Sequence, residues 1–344
     1  MKKKVMVGMS GGIDSSVTAY MLQKDGFQVE GVYLKLHGRT DGYHETNLEH
    51  IENVTKFLNI KYHILDKTEV FEEEVYDYFV NSYIEGTTPN PCVKCNRQIK
   101  FGAMLDFAKE QGASYLATGH YAKTDGEFFY EADDKSKDQS YFLSQVKKEA
   151  LPFMMFPLST YKKEDIVKFA DSLDESYVKI SEKSESQEIC FVDTVYTDVI
   201  KKHTNIDLPG KVLDEKGNII GEHKGYMHYT IGKRRGFTIP GAHVPHFVTK
   251  LNPKNNTIVV GEKAALEINN VDVENLNMFI KEKEISCTVK LRYRAISTPC
   301  NVKIDEDKAS ITLDEPAFGV AAGQLAVFYD GQKVLGSGWI KSTK

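Results

Sequence analysis

Apolar positions along the first 204 residues fall into two alternating rhythms. Lys4-Val5-Met6-Val7 is a short apolar run that reads as a buried strand. Ile13, Val17, Tyr20 and Met21 then recur at helical spacing as far as Lys24. The alternation continues with strands at 29–36 and 61–65, helices at 45–58 and 71–85, and a fourth strand at 115–120. A helix is expected over 96–110, closed by Gly112, and another over 162–172. Strands alternating with helices predict an α/β fold, a doubly wound parallel sheet covered on both faces. Past Thr204 the rhythm shortens to β-type runs parted by turn clusters such as Asp214-Glu215-Lys216-Gly217-Asn218. Beyond Val271, alternation through 287–293 and 324–329 predicts a small antiparallel barrel. The expected division is therefore 1–204 α/β, 205–271 β-rich and 272–344 a β-barrel. Neither an internal repeat nor a low-complexity segment interrupts it.

Composition adds limits. The chain has 344 residues, 41% hydrophobic and 27% charged, which is ordinary for a globular protein. Lys2-Lys3-Lys4 has the basic start of an export signal, but the apolar run behind it ends at Met9, which is too short. No stretch approaches a membrane span, so a cytoplasmic protein without a membrane partner is expected. The net charge of −5 is uneven: residues 201–260 carry ten Lys or Arg against four Asp or Glu. Such a segment is either a polyanion site or a solvated basic face, and charge alone does not choose. Its sharpest cluster is Thr230-Ile231-Gly232-Lys233-Arg234-Arg235-Gly236. Five dispersed cysteines, an odd number, argue for reactive or metal-binding thiols rather than a disulfide framework.

Three stretches carry candidate chemistry. Gly8-Met9-Ser10-Gly11-Gly12-Ile13-Asp14-Ser15-Ser16 joins the first strand to the first helix, an arrangement that makes an anion site from backbone N–H groups and the helix dipole. It lacks the Lys-Ser/Thr pair of a Walker loop and matches the S-G-G-x-D-S pyrophosphate loop of ATP pyrophosphatases. The plain alternative is a structural glycine turn with Asp14 as a cap. Leu34 and Gly119, at the ends of the second and fourth strands, would lie on the same rim, where packing alone also explains them. Thr88-Pro89-Asn90-Pro91-Cys92-Val93-Lys94-Cys95-Asn96 holds a C-x-x-C pair that suits a redox couple, half a zinc site or iron–sulfur ligands. A missing second pair argues against structural zinc. With a helix beginning near Asn96, Cys95 is expected at a helix N-terminus with a favoured thiolate, flanked by Lys94 and Arg97. Cys190, in Ser186-Gln187-Glu188-Ile189-Cys190-Phe191-Val192, reads on its own as a small buried apolar residue.

Together these motifs resemble the bacterial tRNA-specific 2-thiouridylases, nearly end to end. Ile99-Lys100-Phe101-Gly102, Ala117-Thr118-Gly119-His120-Tyr121, Lys137-Asp138-Gln139-Ser140-Tyr141-Phe142-Leu143, Arg292-Tyr293-Arg294 and Gly323-Gln324-Leu325-Ala326-Val327-Phe328-Tyr329 complete the match. The resemblance implies an ATP pyrophosphatase catalytic domain, a central tRNA-binding domain and a C-terminal barrel. It implies ATP and Mg²⁺ as cofactors, with Gly8, Met9, Ser10, Gly11, Gly12, Ile13, Asp14, Ser15, Leu34 and Gly119 holding ATP. By similarity, Cys190 carries a persulfide received from a cysteine desulfurase relay, and Cys95 is its partner. Asn90, Pro91 and Cys92 would meet the wobble uridine of a tRNA, and no DNA is expected. His120, Lys137, Asp138, Gln139, Arg292, Tyr293 and Gln324 would contact the tRNA.

Many family members have Asp where this chain has Cys92. The departure weakens a proton-transfer role there, since a thiol is the poorer acid or base at neutral pH. It also creates a set, Cys92, Cys95 and Cys190, able to ligate a [4Fe–4S] cluster as related thiolation enzymes do. Two other readings compete: a different ATP pyrophosphatase, such as an amidotransferase-like ligase or a lysidine synthetase, and a tRNA-binding protein on an inactive scaffold. The first leaves Cys190 without purpose, and intact Ser10, Asp14 and Ser15 argue against the second.

Overall fold

The computed structural model describes residues 2–38, 41–174, 177, 189–241 and 243–344. Residues 186–188 of the Cys190 motif lie outside them. The chain divides into two compact units, the first comprising residues 1–75, 92–187 and 332–334 and the second the remainder.

The first unit is built on the strands β1 (Lys4–Gly8), β2 (Gln28–Lys35), β3 (Tyr62–Asp66) and β4 (Tyr115–Thr118). β5 (Lys123–Thr124) and β6 (Phe129–Tyr130) form a small hairpin, and β7 (Met154–Met155) returns to the main sheet. That sheet runs β3-β2-β1-β4-β7, and every pairing in it is parallel. Val5, Met6 and Val7 are all fully buried because both faces of β1 are covered, which is why the run is continuously apolar. Helices α1 (Ile13–Lys24) and α2 (Tyr43–Leu58) supply Val17, Leu22, Ile51, Val54 and Leu58 to the same core. The order reverses between β1 and β4, so the loop after β1 and Gly119 after β4 flank the crevice where ligands of doubly wound sheets bind.

Two helices are longer than their apolar spacing suggests. α3 runs through Thr68–Phe71, Glu72–Tyr76 and Asp77–Ile84 without a break. α4 runs through Pro91–Cys95, Asn96–Ala103 and Met104–Glu110, its middle stretch wound as a π-helix. It therefore starts at Pro91 rather than near Asn96. Proline at a first helical position loses no hydrogen bond and has its φ already set. α5 (Lys163–Asp171) completes the elements that bear on the site.

In the second unit, β8 (Gly210–Leu213), β9 (Ile219–His223), β10 (Phe237–Thr238), β11 (Phe247–Asn252) and β12 (Thr257–Gly261) form one sheet, in the order β10-β9-β8-β12-β11. Val212, Val248, Ile258 and Val260 from its strands pack with Phe79, Val80 and Tyr83 of α3. The strands β13 (Glu267–Met278), β14 (Glu284–Lys290), β15 (Thr298–Asp305), β16 (Lys308–Phe318), β17 (Leu325–Asp330) and β18 (Lys333–Thr343) pair antiparallel. The β13–β18 pairing closes them into a six-stranded barrel around Val273, Val289, Val302, Ile311 and Phe328. Closure removes the exposed edges that such strands would otherwise present.

Candidate active site

The loop after β1 is shaped by two glycines with different duties. Gly11 has φ +74, and a Cβ there would come within 2.9 Å of the Asn47 backbone. Gly12 is extended, and a Cβ on it would meet only the Ser10 hydroxyl, at 3.3 Å. Gly11 is thus required by the fold, whereas Gly12 is not. Gly119 is required as well, since a Cβ would lie 2.8 Å from the Asp14 backbone. It lets the end of β4 touch the first turn of α1.

Ser15 ties the loop together. Its hydroxyl donates to the Gly12 carbonyl at 3.0 Å and accepts from the Ser10 N–H at 3.2 Å. The Ser16 hydroxyl also donates to the Gly12 carbonyl, at 3.0 Å. Gly12 caps α1 without a side-chain hydrogen bond, so the N–H groups of the first turn remain available for an anion.

Asp14 is not a helix cap. Lys163 of α5 donates to both of its carboxylate oxygens at 2.7 Å, and the Tyr121 hydroxyl donates to one of them at 2.9 Å. Tyr121 is held in turn by Gln139, whose side-chain oxygen accepts the Tyr121 N–H at 2.9 Å and whose own N–H donates to the Tyr121 carbonyl at 2.7 Å. Asp138 is buried and accepts from the Ala132 and Ser140 N–H groups and the Ser140 hydroxyl. Its carboxylate is therefore engaged within the chain. Lys163 escaped the sequence reading: a lysine opening an amphipathic helix looks like any solvated charge, and only the fold brings it to Asp14, 149 residues away.

The cysteine helix differs more from expectation. Because α4 begins at Pro91, Cys92 lies in its first turn and is exposed, while Cys95 lies a turn further in and is buried. Burial pushes the Cys95 thiol up to about 11, and Lys100 opposes the shift only in part. Arg97 does not face the sulfur; it donates to the carbonyl and side-chain oxygen of Gln145, both at 2.9 Å. The expected resting thiolate is thus replaced by a neutral thiol, because desolvation outweighs a dipole that Cys95 no longer meets at the helix end. Desolvation by the protein packed around its sulfur also raises the Cys92 thiol, although the residue keeps an exposed surface. His120, its Nδ1 2.8 Å from the Thr118 hydroxyl and its ring beside Phe101 and Phe156, is held neutral by burial. Lys100 bears on Cys92, Cys95 and His120 alike, and the sequence reading gave it no role.

Leu34 lies one residue before the end of β2, opposite Leu65 of β3. Cys190 is exposed, contrary to the small buried residue its context suggests. Lys137 is half-buried.

Within the second unit, the Asn90 N–H donates to the Tyr78 hydroxyl at 3.3 Å. The side chain of Gln324 donates to the carbonyls of Thr88 and Pro89 at 3.1 and 3.0 Å. Gln324 thereby braces the segment that leads into Asn90 and Pro91. Arg292 is exposed and donates to the Phe318 carbonyl at 3.4 Å; Tyr293 is half-buried.

The basic cluster at 233–235 is a closed turn in which the Tyr229 hydroxyl donates to the Gly236 carbonyl. Lys233 turns back to donate to the His228 carbonyl at 2.7 Å, and Arg234 and Arg235 are exposed. If the turn meets phosphate, Arg234→Ala with Arg235→Ala lowers the log–log salt slope of tRNA binding by about two units, and adding Lys233→Ala changes it little further. A slope unchanged in the double variant would make the cluster a solvated face.

Among the described residues, no group of three or more His, Cys, Asp or Glu is placed to hold a metal ion, so a [4Fe–4S] ligand set is not assembled. At the loop, Lys163 holds both carboxylate oxygens of Asp14. No described helix is long and apolar enough to cross a membrane.

A parallel sheet with a glycine–serine loop at its switch point, followed by a β-rich sheet and a closed barrel, defines a nucleotide-binding enzyme class with appended β domains. Family models match in that order: a tRNA methyl transferase HUP domain over 3–194, a tRNA methyl transferase PRC-barrel domain over 197–262 and an aminomethyltransferase beta-barrel domain over 268–340. The tRNA-specific 2-thiouridylase MnmA 1 of Aliarcobacter butzleri is 75% identical over 343 residues, covering 100% of this chain and 99% of the relative. The tRNA-specific 2-thiouridylases MnmA of Nitratiruptor sp. and Campylobacter jejuni are 55% and 53% identical, covering 99% and 98% of this chain and the whole of each relative. The chain belongs to the tRNA-specific 2-thiouridylase family.

Proposed function

We propose that this protein is an ATP-dependent tRNA 2-thiouridylase, a sulfurtransferase that places sulfur on C2 of the wobble uridine. The observation that carries the reading is the loop at 8–15, with its first-turn N–H groups directed to an anion beside the Asp14–Lys163–Tyr121 set. ATP phosphates bind on those N–H groups and on the Ser10 hydroxyl. The uridine O2 attacks the α-phosphate, pyrophosphate departs, and the loop stabilises the departing charge. The activated C2 then accepts the terminal sulfur of a persulfide on Cys190, and AMP leaves. Cys95 then attacks the Cys190 sulfur, breaking its bond to the transferred sulfur, which stays on C2, and forming a Cys95–Cys190 disulfide that an external thiol reopens. Leu34 borders the nucleotide, and Gly119 lets the end of β4 come close to the first turn of α1 beside it. Asn90, Pro91 and Cys92 meet the base, and His120, Lys137, Asp138, Gln139, Arg292, Tyr293 and Gln324 face the tRNA together with Arg234 and Arg235. The sulfur arrives from a cysteine desulfurase relay. The division at 1–204, 205–271 and 272–344 into catalytic, tRNA-binding and barrel domains is part of this proposal, supported by the near-coincident limits of the three family models.

Gly12→Ala tests the loop, because its methyl enters the space that phosphate needs and within the protein meets only the Ser10 hydroxyl. Melting is expected to change by no more than a few degrees, while tRNA-dependent ATP–pyrophosphate exchange falls about a hundredfold. Exchange at the wild-type rate would sink the assignment.

Cys92→Asp tests the departure from the family pattern. A carboxylate in the first turn of α4 is favoured by the dipole and open to water. The variant therefore keeps wild-type thiolation to within a few-fold; loss of activity together with bound iron would instead show that Cys92 is a cluster ligand.

A further inference from the structure

Two cysteines take no part in the chemistry above. Cys287 of β14 and Cys300 of β15 are direct partners in the antiparallel ladder, and their Sγ atoms lie 3.7 Å apart. Paired positions on antiparallel strands have Cα atoms about 4.5–5.5 Å apart, inside the span that a disulfide bridges. Cys300 is buried in the barrel core, whereas Cys287 is partly open to solvent. Between them the chain leaves the barrel in the turn that carries Arg292 and Tyr293.

We propose that Cys287 and Cys300 are a redox site, a dithiol that a low-molecular-weight disulfide such as oxidised glutathione converts to a cross-strand disulfide. The Cys287 thiolate attacks one sulfur of the oxidant, forming a mixed disulfide and expelling one glutathione thiolate. Cys300 then gives its proton to solvent and attacks the Cys287 sulfur, expelling the second glutathione and closing the protein disulfide. Two protein thiols are oxidised, and the oxidant's S–S bond is reduced to two thiols. Excess reduced glutathione reverses both steps.

The order of attack follows from the pair's asymmetry. The contact between the two sulfurs lowers the Cys287 thiol and raises that of Cys300. The more acidic sulfur is also the more accessible one. Closure joins the feet of the 291–297 turn covalently, so that its opening motions become restricted.

The test uses the full-length protein, incubated with oxidised glutathione, alkylated and mapped by mass spectrometry. The expected result is a linked pair of peptides carrying Cys287 and Cys300, with neither thiol alkylated. Cys300→Ala is expected to stall with glutathione on Cys287, and Cys287→Ala to leave Cys300 unmodified. Hydrogen exchange at 291–297 is expected to slow in the oxidised wild type and to return to its reduced rate on adding thiol. Recovery of both sulfurs as alkylated thiols in the wild type, or persistent glutathione on either, would overturn the proposal. Any failure of the tRNA reading leaves these measurements unaffected.

Discussion

Cys95→Ser and Cys190→Ser are each expected to bring 2-thiouridine formation to background while tRNA-driven pyrophosphate release continues. In the proposed reaction both sulfurs act after the uridine has been adenylated, so neither hydroxyl substitute should disturb the loop at 8–15. Serine is close in size to cysteine, and Cys95 sits within a helix, so the backbone is not strained by the exchange. A second readout separates the two sulfurs. With its thiol pushed up to about 11 by burial, Cys95 is almost entirely protonated at pH 7. Its alkylation should therefore rise about tenfold per pH unit between 7 and 9, continuing upward toward 11. Exposed Cys190 should react first at neutral pH. Full adenylation without thiolation supports the assignment; if either serine variant still thiolates, that sulfur is not in the path. Rapid pH-independent labelling of Cys95 would show that its thiolate already exists at rest.

Lys163→Met is expected to cost stability and adenylation together, for separable reasons. Removing one partner of a buried ion pair leaves the other charge uncompensated, at about 3–5 kcal/mol when both are fully buried. Asp14 keeps about a third of its side chain exposed, 31%, so water offsets much of that cost. Roughly 1–2 kcal/mol is the expected loss. Adenylation should fall further, about a hundredfold, because Asp14 opens α1 directly beneath the phosphate-facing turn and misplacement there disturbs the reacting geometry. The double variant Asp14→Asn with Lys163→Met separates the two effects. It removes both charges, so stability should return toward wild type while pyrophosphate exchange stays low. Recovery of exchange along with stability would reduce the pair to a structural tie.

The parallel order and the loop position were readable before any coordinates, because a strand buried on both faces must be continuously apolar and the glycines at 11 and 12 interrupt that run at one place. Helix limits were read less well. Pro91 looks like a breaker in sequence, yet it starts α4, and that five-residue difference moves Cys95 from a helix end into the interior. The sign of its thiol shift changed with it. Likewise, Lys-Asp-Gln at 137–139 and Gln324 looked like polar residues kept for RNA. The fold also gives Asp138, Gln139 and Gln324 hydrogen bonds within the protein, to partners that the sequence does not name.

What the amino-acid order settled by itself was the α/β character of the first part, the β character of the rest and the anion loop, all of which depend on residues close together in the chain. Tertiary structure alone decided which charges meet. Lys163 reaches Asp14, Lys233 turns inward while Arg234 and Arg235 stay out, and Cys287 faces Cys300. Local periodicity reports which face of an element is buried, but the partner across that face comes from another element, and burial there sets the charge each group keeps.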